Sequence, residues 1–448
     1  MSLGILGVAA LAALTVHVLA GRTFPHPWPD EIDFMTPAAQ LARHFTLAAP
    51  QLGAPHGMFW EPELMYFLWA PVLRFAPLTV ASGRWVCFVM VVVAGGGFFA
   101  AGRRAGAAPL PAAVVVTAWL LSPLTILAAN IARPEAMVLA FVAWAAAATL
   151  DGRRVLALAL AVFACFSHAA GVPFALVIAA ANLFVRAERP ATRRWEWGVA
   201  ALAALFVAFE LAHFGGHFSV ALDQLRFQGR VKSHVSNGNR MPYVIYAAAA
   251  FAALIGLRRR LSWRSRLLGA LAIAGVVVLF VGWEEWYEVY ALALAPLLGS
   301  LVVLANLQVA FATEQLRRIA TAAVVVLFAA LVVAPGQPVF AGMALGRHPQ
   351  EWPVFERRVR AELLRIDATA TRPITVMFND QSGLPWPLAG DRLGTHIRIV
   401  KQTLVTETQH ADYAVVIPGH LPAPPGRVVA RITSPHHQLA AVVVRIGH

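Results

Sequence analysis

The sequence predicts a mainly α, polytopic membrane protein: about eleven transmembrane helices, a first external loop with amphipathic helices, and a small C-terminal α/β domain outside the membrane. Three observations carry that expectation. Hydrophobic residues make up 59% of the 448 residues and charged residues 13%, where a soluble domain has about 25% charged residues. Apolar runs of about 20 residues recur between short basic loops, as spanning helices require. The tail from about Ala334 has charged residues and turn signals but no spanning run. The formal charge of +13 would by itself suit a nucleic-acid partner. Its distribution argues against one, because the basic residues sit in loops between apolar runs. Cys87 and Cys165 both lie inside apolar runs, so an external part must fold without a disulfide framework.

The first segment runs from Leu3 to Ala20. Val18-Leu19-Ala20 resembles a signal-peptidase site, but the apolar run is long and has no basic flank, so an uncleaved anchor is expected. A polar loop follows, from Gly21 to about Glu63, whose middle, Met35 to Ala49, reads as an amphipathic helix on the membrane surface. Further spans are expected near Val80–Ala100, Ala112–Ala129, Glu135–Leu150, Val155–His168, Gly171–Val185, Val199–His213, Val244–Leu257, Leu267–Val281, Val289–Leu304 and Ile319–Val333.

Loop charge tests the topology. Arg103-Arg104, Arg153-Arg154, Arg186 with Arg189, Arg193 and Arg194, the Arg258–Arg266 cluster and Arg317-Arg318 fall on alternate loops. By the positive-inside rule that side is the cytoplasm. The N-terminus is then cytoplasmic. The Asp30 loop, the Arg133 turn, the Gly215–Arg240 loop, the Trp283–Tyr287 turn and the tail share the other side. The expected division is a transmembrane domain over 1–335 and a periplasmic α/β domain over 336–448. In the latter, Glu351–Ile366 reads as an amphipathic helix, and Ile374–Phe378, Tyr413–Ile417, Val428–Ile432 and Ala440–Ile446 as strands.

The external loops hold nearly all the unusual polar residues. Trp28-Pro29-Asp30-Glu31-Ile32-Asp33 places three carboxylates in four residues, and His56, Trp60, Glu61 and Glu63 follow. Arg133 precedes Pro134-Glu135. Asp223, Arg226, Arg230, Lys232, His234 and Arg240 lie in the long loop, and Glu284, Glu285, Tyr287 and Glu288 in a late turn. Carboxylates, cations and aromatics on one face suit a phosphate-bearing lipid and a polar acceptor. A carboxylate serves as general base, Arg and Lys hold a phosphate leaving group, and aromatic faces suit sugar rings. Plainer readings stand beside each. The Asp30 stretch also fits a solvated loop with a helix N-terminus, and Arg133-Pro134 also fits a helix boundary. The Arg226–Arg240 cations also fit a solvated loop at anionic headgroups, the late aromatics interfacial anchors, and His168 a packed core residue. The sequence has no Walker loop, zinc motif or nucleophile elbow.

The order of these features resembles a known family. An apolar anchor precedes the Asp30-Glu31 pair, an amphipathic stretch leads to Trp60-Glu61-Pro62-Glu63-Leu64-Met65-Tyr66-Phe67-Leu68-Trp69, and a hydrophobic segment ends at Gly102-Arg103-Arg104. Leu121-Ser122-Pro123 then leads to Ala132-Arg133-Pro134-Glu135-Ala136, and Trp286-Tyr287-Glu288-Val289-Tyr290 comes before Leu294-Ala295-Pro296-Leu297. This is similar to the C-type-fold membrane glycosyltransferases, in particular the bacterial relatives of dolichyl-phosphate-mannose protein mannosyltransferases and the lipid A aminoarabinose transferase. The resemblance covers about residues 1–310 and rests on several motifs in order.

The resemblance implies a hexosyl- or pentosyltransferase in the bacterial cell inner membrane, and an inverting one is expected. Its donor would be a sugar on a polyprenyl-phosphate carrier, and its acceptor an envelope lipid, glycan or protein at the periplasmic face. Asp30 would be the catalytic base, Glu31 its partner, and Arg133 with Arg226, Arg230, Lys232 and Arg240 would handle the lipid phosphate. His56, Trp60, Glu61, Glu63, Glu285 and Tyr287 complete the candidate substrate-binding set. The chain departs from the family at Pro62-Glu63-Leu64, where Pro-Pro-Leu is usual, and at Ser167-His168-Ala169-Ala170-Gly171, where a Lys-Gly pair is common. No metal ligand is assigned, although the first-loop carboxylates also suit a divalent cation. Two other classes remain open: a transporter or flippase of a lipid-linked precursor, and a non-catalytic envelope assembly component.

Overall fold

The computed structural model describes residues 2–20, 27–59, 61–184, 193–235, 261–281, 287–311, 313–333, 351–379, 382–402, 410–417, 424–437 and 439–446. Helix α1, Ser2–Ala20, is followed by α2, Pro29–His44, α3, Leu64–Phe75, and α4, Val80–Ala105. Then come α5, Pro109–Leu120, α6, Pro123–Ala129, α7, Glu135–Leu150, α8, Arg154–Ser167, and α9, Gly171–Phe184. The body continues with α10, Arg194–Gly216, α11, Phe218–Val235, and α12, Trp263–Val281. A π-helical turn, Val289–Leu294, runs into α13, Ala295–Ala310, and α14 is Glu314–Val333.

Helix thus occupies every hydropathy-expected span except 244–257, which lies outside the described residues. Length qualifies the count. Among the described residues, Val80–Ala105, Arg194–Gly216, Val289–Leu307 and Glu314–Val332 are each long and apolar enough to cross a membrane. Pro109–Leu120 with Pro123–Ala129 makes a fifth span if the pair, bent by 63°, is one. Five other apolar helices are shorter. The structure therefore supports a mainly helical body with several apolar helices. The break between α5 and α6 falls at Pro123, which cannot donate into a helix already begun.

Close packing positions the site. Helix α7 is buried along nearly its whole length by alanines and valines against α4, since small residues let membrane helices approach. Gly83 of α4 lies under Met35 of α2; a Cβ there would come within 2.6 Å of the Met35 sulfur. That absence of a side chain lets α2 lie directly on α4.

Helix α2 begins six residues before the expected start at Met35. Pro29 takes the first helical position, where its missing N–H costs nothing. The Glu31 carboxylate closes the turn by accepting from the Trp28 N–H at 2.8 Å. The long loop after α10 is likewise mostly helix, as α11.

The C-terminal unit has helix α15, Glu351–Thr369, and strands β1, Ile374–Phe378, β2, Arg392–Leu393, β3, Ile397–Lys401, β4, Tyr413–Val416, β5, Gly426–Thr433, and β6, Ala440–Ile446, with short α16, Trp386–Ala389, before β2. The sheet order is β2-β3-β1-β4-β6-β5, with β1 parallel to β3 and β4 and the remaining pairs antiparallel. Phe355, Val359 and Leu363 of α15 pack on Val376, Phe378, Ile399 and Val443. The carboxylate of Asp367 accepts from the N–H groups of Thr395, His396 and Ile397, which holds it below the usual carboxylate range. β2 and β3 were not expected from sequence: Arg398 interrupts an otherwise buried strand, and β2 is two residues long.

The unit docks on the helical body through the first polar loop. Leu388 of α16 belongs to the helical body's core. Gln51 donates from its side-chain nitrogen to the Pro387 carbonyl at 3.0 Å. Gly383 lies against Pro27 so closely that a Cβ would fall 2.0 Å from the Pro27 carbonyl oxygen. The expected boundary at 335/336 lies outside the described residues.

Candidate active site

The first turn of α2 meets the turn that opens α7. Arg133 of that turn is buried and donates from Nη1 to Asp30 Oδ2. Its other edge faces Glu135, with Nη2 and Nε at 3.2 and 3.3 Å from Oε1. The guanidinium also stacks over Phe34, 5.2 Å from the ring centroid. The cluster of two carboxylates and one guanidinium therefore carries a formal charge of −1. Helix N-termini explain the placement: Asp30 and Glu135 each sit in a first turn, where the helix dipole favours negative charge. The turn before α7 thus carries a buried guanidinium as well as a helix boundary.

Glu31, adjacent in sequence, has a different role. Its side chain is 0% exposed. Oε1 and Oε2 accept from Arg84 Nε and Nη2, both at 2.8 Å, in a two-point clasp. Oε1 also accepts from the Ala132 N–H at 2.7 Å. With Trp28 as the fourth donor, the carboxylate is fully engaged. Glu31 fastens α2 to α4 and to the residue before Arg133. With all four donors on its two oxygens, it positions its neighbours in this geometry. Cys87, one turn beyond Arg84, donates to the Arg133 carbonyl at 3.3 Å and braces the same turn. Asp33, last of the three carboxylates, ion-pairs with Lys401 of β3.

A second cluster lies where residues 56–63 meet α8 and α10. The His168 ring accepts at Nδ1 from the Ala170 N–H at 3.0 Å, so Nε2 carries the proton and donates to Glu61 Oε1 at 3.3 Å. Tyr287 lies against the same ring, its hydroxyl 3.4 Å from Nε2. His168 is buried and partnered, as its apolar surroundings suggest. Glu63 pairs with His213 of α10 at 2.8 Å, and its backbone N–H donates to Glu210 at 2.7 Å. Gln224 of α11 bridges the Phe59 N–H and the Gly57 carbonyl. His56 stacks on His217 at 4.8 Å. Each of these contacts holds the loop to a helix, so Glu61, Glu63 and His56 brace it in this geometry, while Oε2 of Glu63 is buried without a hydrogen-bond partner among the described residues.

The remaining candidates divide in two. Arg226 is exposed, its side chain at 65%, and pairs only loosely with Asp223 at 3.6 Å one turn earlier on α11. It does not join the site; the solvated reading fits it. Trp60, Arg240 and Glu285 lie outside the described residues, as do the side chains of Arg230 and Lys232. Among the described residues no group of three or more His, Cys, Asp or Glu side chains is placed to hold a metal ion, because the first-loop carboxylates are spread over separate cationic partners.

Sequence reading missed Arg84, His213, Gln224 and Lys401. Arg84 carried a signal: it is a lone cation in an apolar run, and such residues in membrane segments have partners and roles.

Beside Arg133 and Glu135 opens a crevice whose other walls are Leu124, Leu127, Ala128, Ile131 and Val289. Apolar walls thus end at a guanidinium. One side is α6, which the break at Pro123 turns aside from α5; the other is the π-helical turn, a feature frequent at functional sites.

No protein-family model matches the chain, and no curated protein matches it in sequence. Solved structures do match. ArnT from Cupriavidus metallidurans in the apo state aligns with a TM-score of 0.51 at 17% identity, over 98% of this chain and 98% of that one. The same protein bound to undecaprenyl phosphate aligns with a TM-score of 0.51 at 16% identity and the same coverage. The likeness extends through the C-terminal unit, beyond the region that the sequence resemblance covered. At this identity it shows the fold, which the chain shares with ArnT.

Proposed function

We propose that the chain is an integral membrane glycosyltransferase of the bacterial inner membrane. It moves a sugar from a polyprenyl-phosphate-linked donor to an envelope lipid, glycan or protein on the periplasmic face, with Asp30 as base. One observation carries this reading. Of the carboxylates Asp30, Glu31, Asp33, Glu61 and Glu63, each paired with a cation or histidine, only Asp30 keeps as much as 34% of its side chain accessible. Its partner Arg133 also lines a crevice with apolar walls on the same side of the first turn.

The chemistry follows from that pair. The acceptor hydroxyl oxygen attacks the anomeric carbon, and its proton passes to Asp30. The bond from that carbon to the phosphate oxygen breaks, and the electron pair leaves with the lipid phosphate. Attack opposite the leaving group inverts the sugar. Arg133 takes up the charge that grows on the phosphate. Because Asp30 already occupies Nη1 of Arg133, the incoming phosphate competes with it. Binding the donor therefore loosens Asp30 from Arg133 and makes the base available as the leaving group is secured. The undecaprenyl phosphate held by the ArnT structure supports this choice of donor class.

Mass spectrometry of envelope glycans and glycolipids from cells with and without the intact chain tests the reading. The expected result is one sugar-bearing species that needs both the chain and Asp30. Unchanged glycans, together with movement of labelled lipid across vesicles by the purified protein, would replace it with the transporter reading.

A further inference from the structure

We propose that Lys401, on strand β3 of the C-terminal unit, is a positioning residue of the active site, and that the C-terminal unit is thereby a working part of the transferase. The claim rests on the assignment of Asp30 as base. Lys401 is 0% exposed, and its Nζ reaches two groups of the first turn of α2: the Asp33 carboxylate and, at 3.2 Å, the Pro29 carbonyl. Those groups flank Asp30 on both sides in sequence. The ammonium therefore holds the turn that carries the base at its start and one turn along.

Lysine suits this task. Pro29 and Asp33 offer one acceptor each in different directions, which a compact ammonium with rotatable donors satisfies and a planar guanidinium fork does not. The choice is conspicuous here, because Lys232 and Lys401 are the two lysines among 36 basic residues. Burying an ammonium and a carboxylate together is a weak source of stability, since desolvation offsets their attraction. What the pair provides is register. Three strands hold its far end: β3 sits between β2 and β1, and β1 pairs with β4. The ammonium is the link from the sheet to the first turn of α2, beside the packing of α16 on the same helix.

Two other contacts fasten the same unit to the same loop, Gln51 with Pro387 and Pro27 with Gly383. They join the loop on either side of α2 and leave its first turn to Lys401. Arg133 pairs with Asp30, but Glu135 and the Cys87 contact hold it on the helical body as well. Loss of Lys401 thus separates two readouts: the base moves, while the phosphate-binding guanidinium stays.

The test compares the full-length wild type with Lys401→Met, Lys401→Arg and the neutral pair Lys401→Met with Asp33→Leu, which leaves no buried charge unpaired. Three quantities are read: hydrogen exchange of the backbone amides in residues 30–36, affinity for undecaprenyl phosphate, and the envelope glycan product. Lys401→Met and the neutral pair are expected to speed exchange in this turn at least tenfold and cut product at least tenfold. Undecaprenyl phosphate affinity is kept or rises by up to about tenfold, as release of Arg133 from the competing carboxylate allows, and Lys401→Arg restores part of the product. Wild-type exchange and product in the neutral pair would overturn the proposal. So would product and lipid affinity falling together, which would mark Lys401 as a general fold contact. If the wild type itself yields no product, the transferase reading has failed, and the exchange experiment still decides whether Lys401 orders the turn.

Discussion

Two regions of the first polar loop do opposite things with the same residue type. At residues 30–33 the carboxylates meet arginines and a lysine; at residues 61–63 they meet histidines. The first region opens on a crevice through Arg133. In the second, the loop is drawn shut against α8, α10 and α11 by Glu61, Glu63 and Gln224. The difference lies in what the cation can do next. Arg133 is permanently charged and has five donors, so it can give up one carboxylate for a phosphate and keep another. His168 has one proton to donate here and a backbone amide already on its other nitrogen, so it has nothing left for a ligand. The acid-rich sequence marks both regions equally; only the partner type and the exposure separate chemistry from bracing.

That contrast is easiest to break at Asp30. Asp30→Asn keeps the shape and removes the proposed base, and transfer is expected to fall by about 10²–10⁴ with the thermal midpoint little changed, as product formation and a melting curve on the same preparation will show. Next comes Glu31→Gln. It removes the charge from a buried two-point clasp, so unfolding free energy should fall by about 3–5 kcal/mol, read by chemical denaturation in detergent. Activity should follow the folded fraction and not exceed its loss. Arg133→Lys keeps the charge but loses the fork. Undecaprenyl phosphate affinity should weaken by about ten- to a hundredfold, a loss of about 1.4–2.8 kcal/mol, measured by equilibrium binding.

In the second region His213→Gln should cost about 1–2 kcal/mol of stability and leave undecaprenyl phosphate binding near wild type; a loss of binding would move the site. The smallest effect is expected farthest away, at Asp367→Asn in the C-terminal unit. The Thr395, His396 and Ile397 amides lower the pKa of Asp367 in the folded state. Its stabilisation is therefore complete above the unfolded-state pKa and is lost as pH falls through the lower, folded-state value. Replacement should reduce the melting temperature by about 5 °C at neutral pH and by less as the pH drops below 4, as a melting series across pH will test.

Much of the helical body was legible because hydropathy is summed over twenty residues and does not depend on partners. The same holds for α15 and for β1, β4 and β6, whose apolar patterns are local. What could not be read was length and pairing. α7 and α8 are apolar but short, and α5 breaks from α6 at Pro123, lengths that hydropathy alone does not read. The start of α2 was misplaced because Asp30 and Glu31 looked like loop residues, although Pro29 and a Glu two residues later are themselves a helix-start signal. Asp30 and Arg133 stood out by residue type and neighbours. Glu31 appeared identical to Asp30, since its silence depends on Arg84, 53 positions away. Lys401 had no local motif; only its rarity as a lysine marked it.

The central claim is that Asp30 and an incoming lipid phosphate compete for Arg133. The most direct measurement is the affinity of the wild type and Asp30→Asn for undecaprenyl phosphate, taken beside their transfer activity. The account predicts opposite signs: the variant binds the lipid about five- to tenfold more tightly, because the competing carboxylate charge is gone, a gain of about 1–1.4 kcal/mol, while transfer is lost. Equal or weaker binding with transfer retained would contradict it.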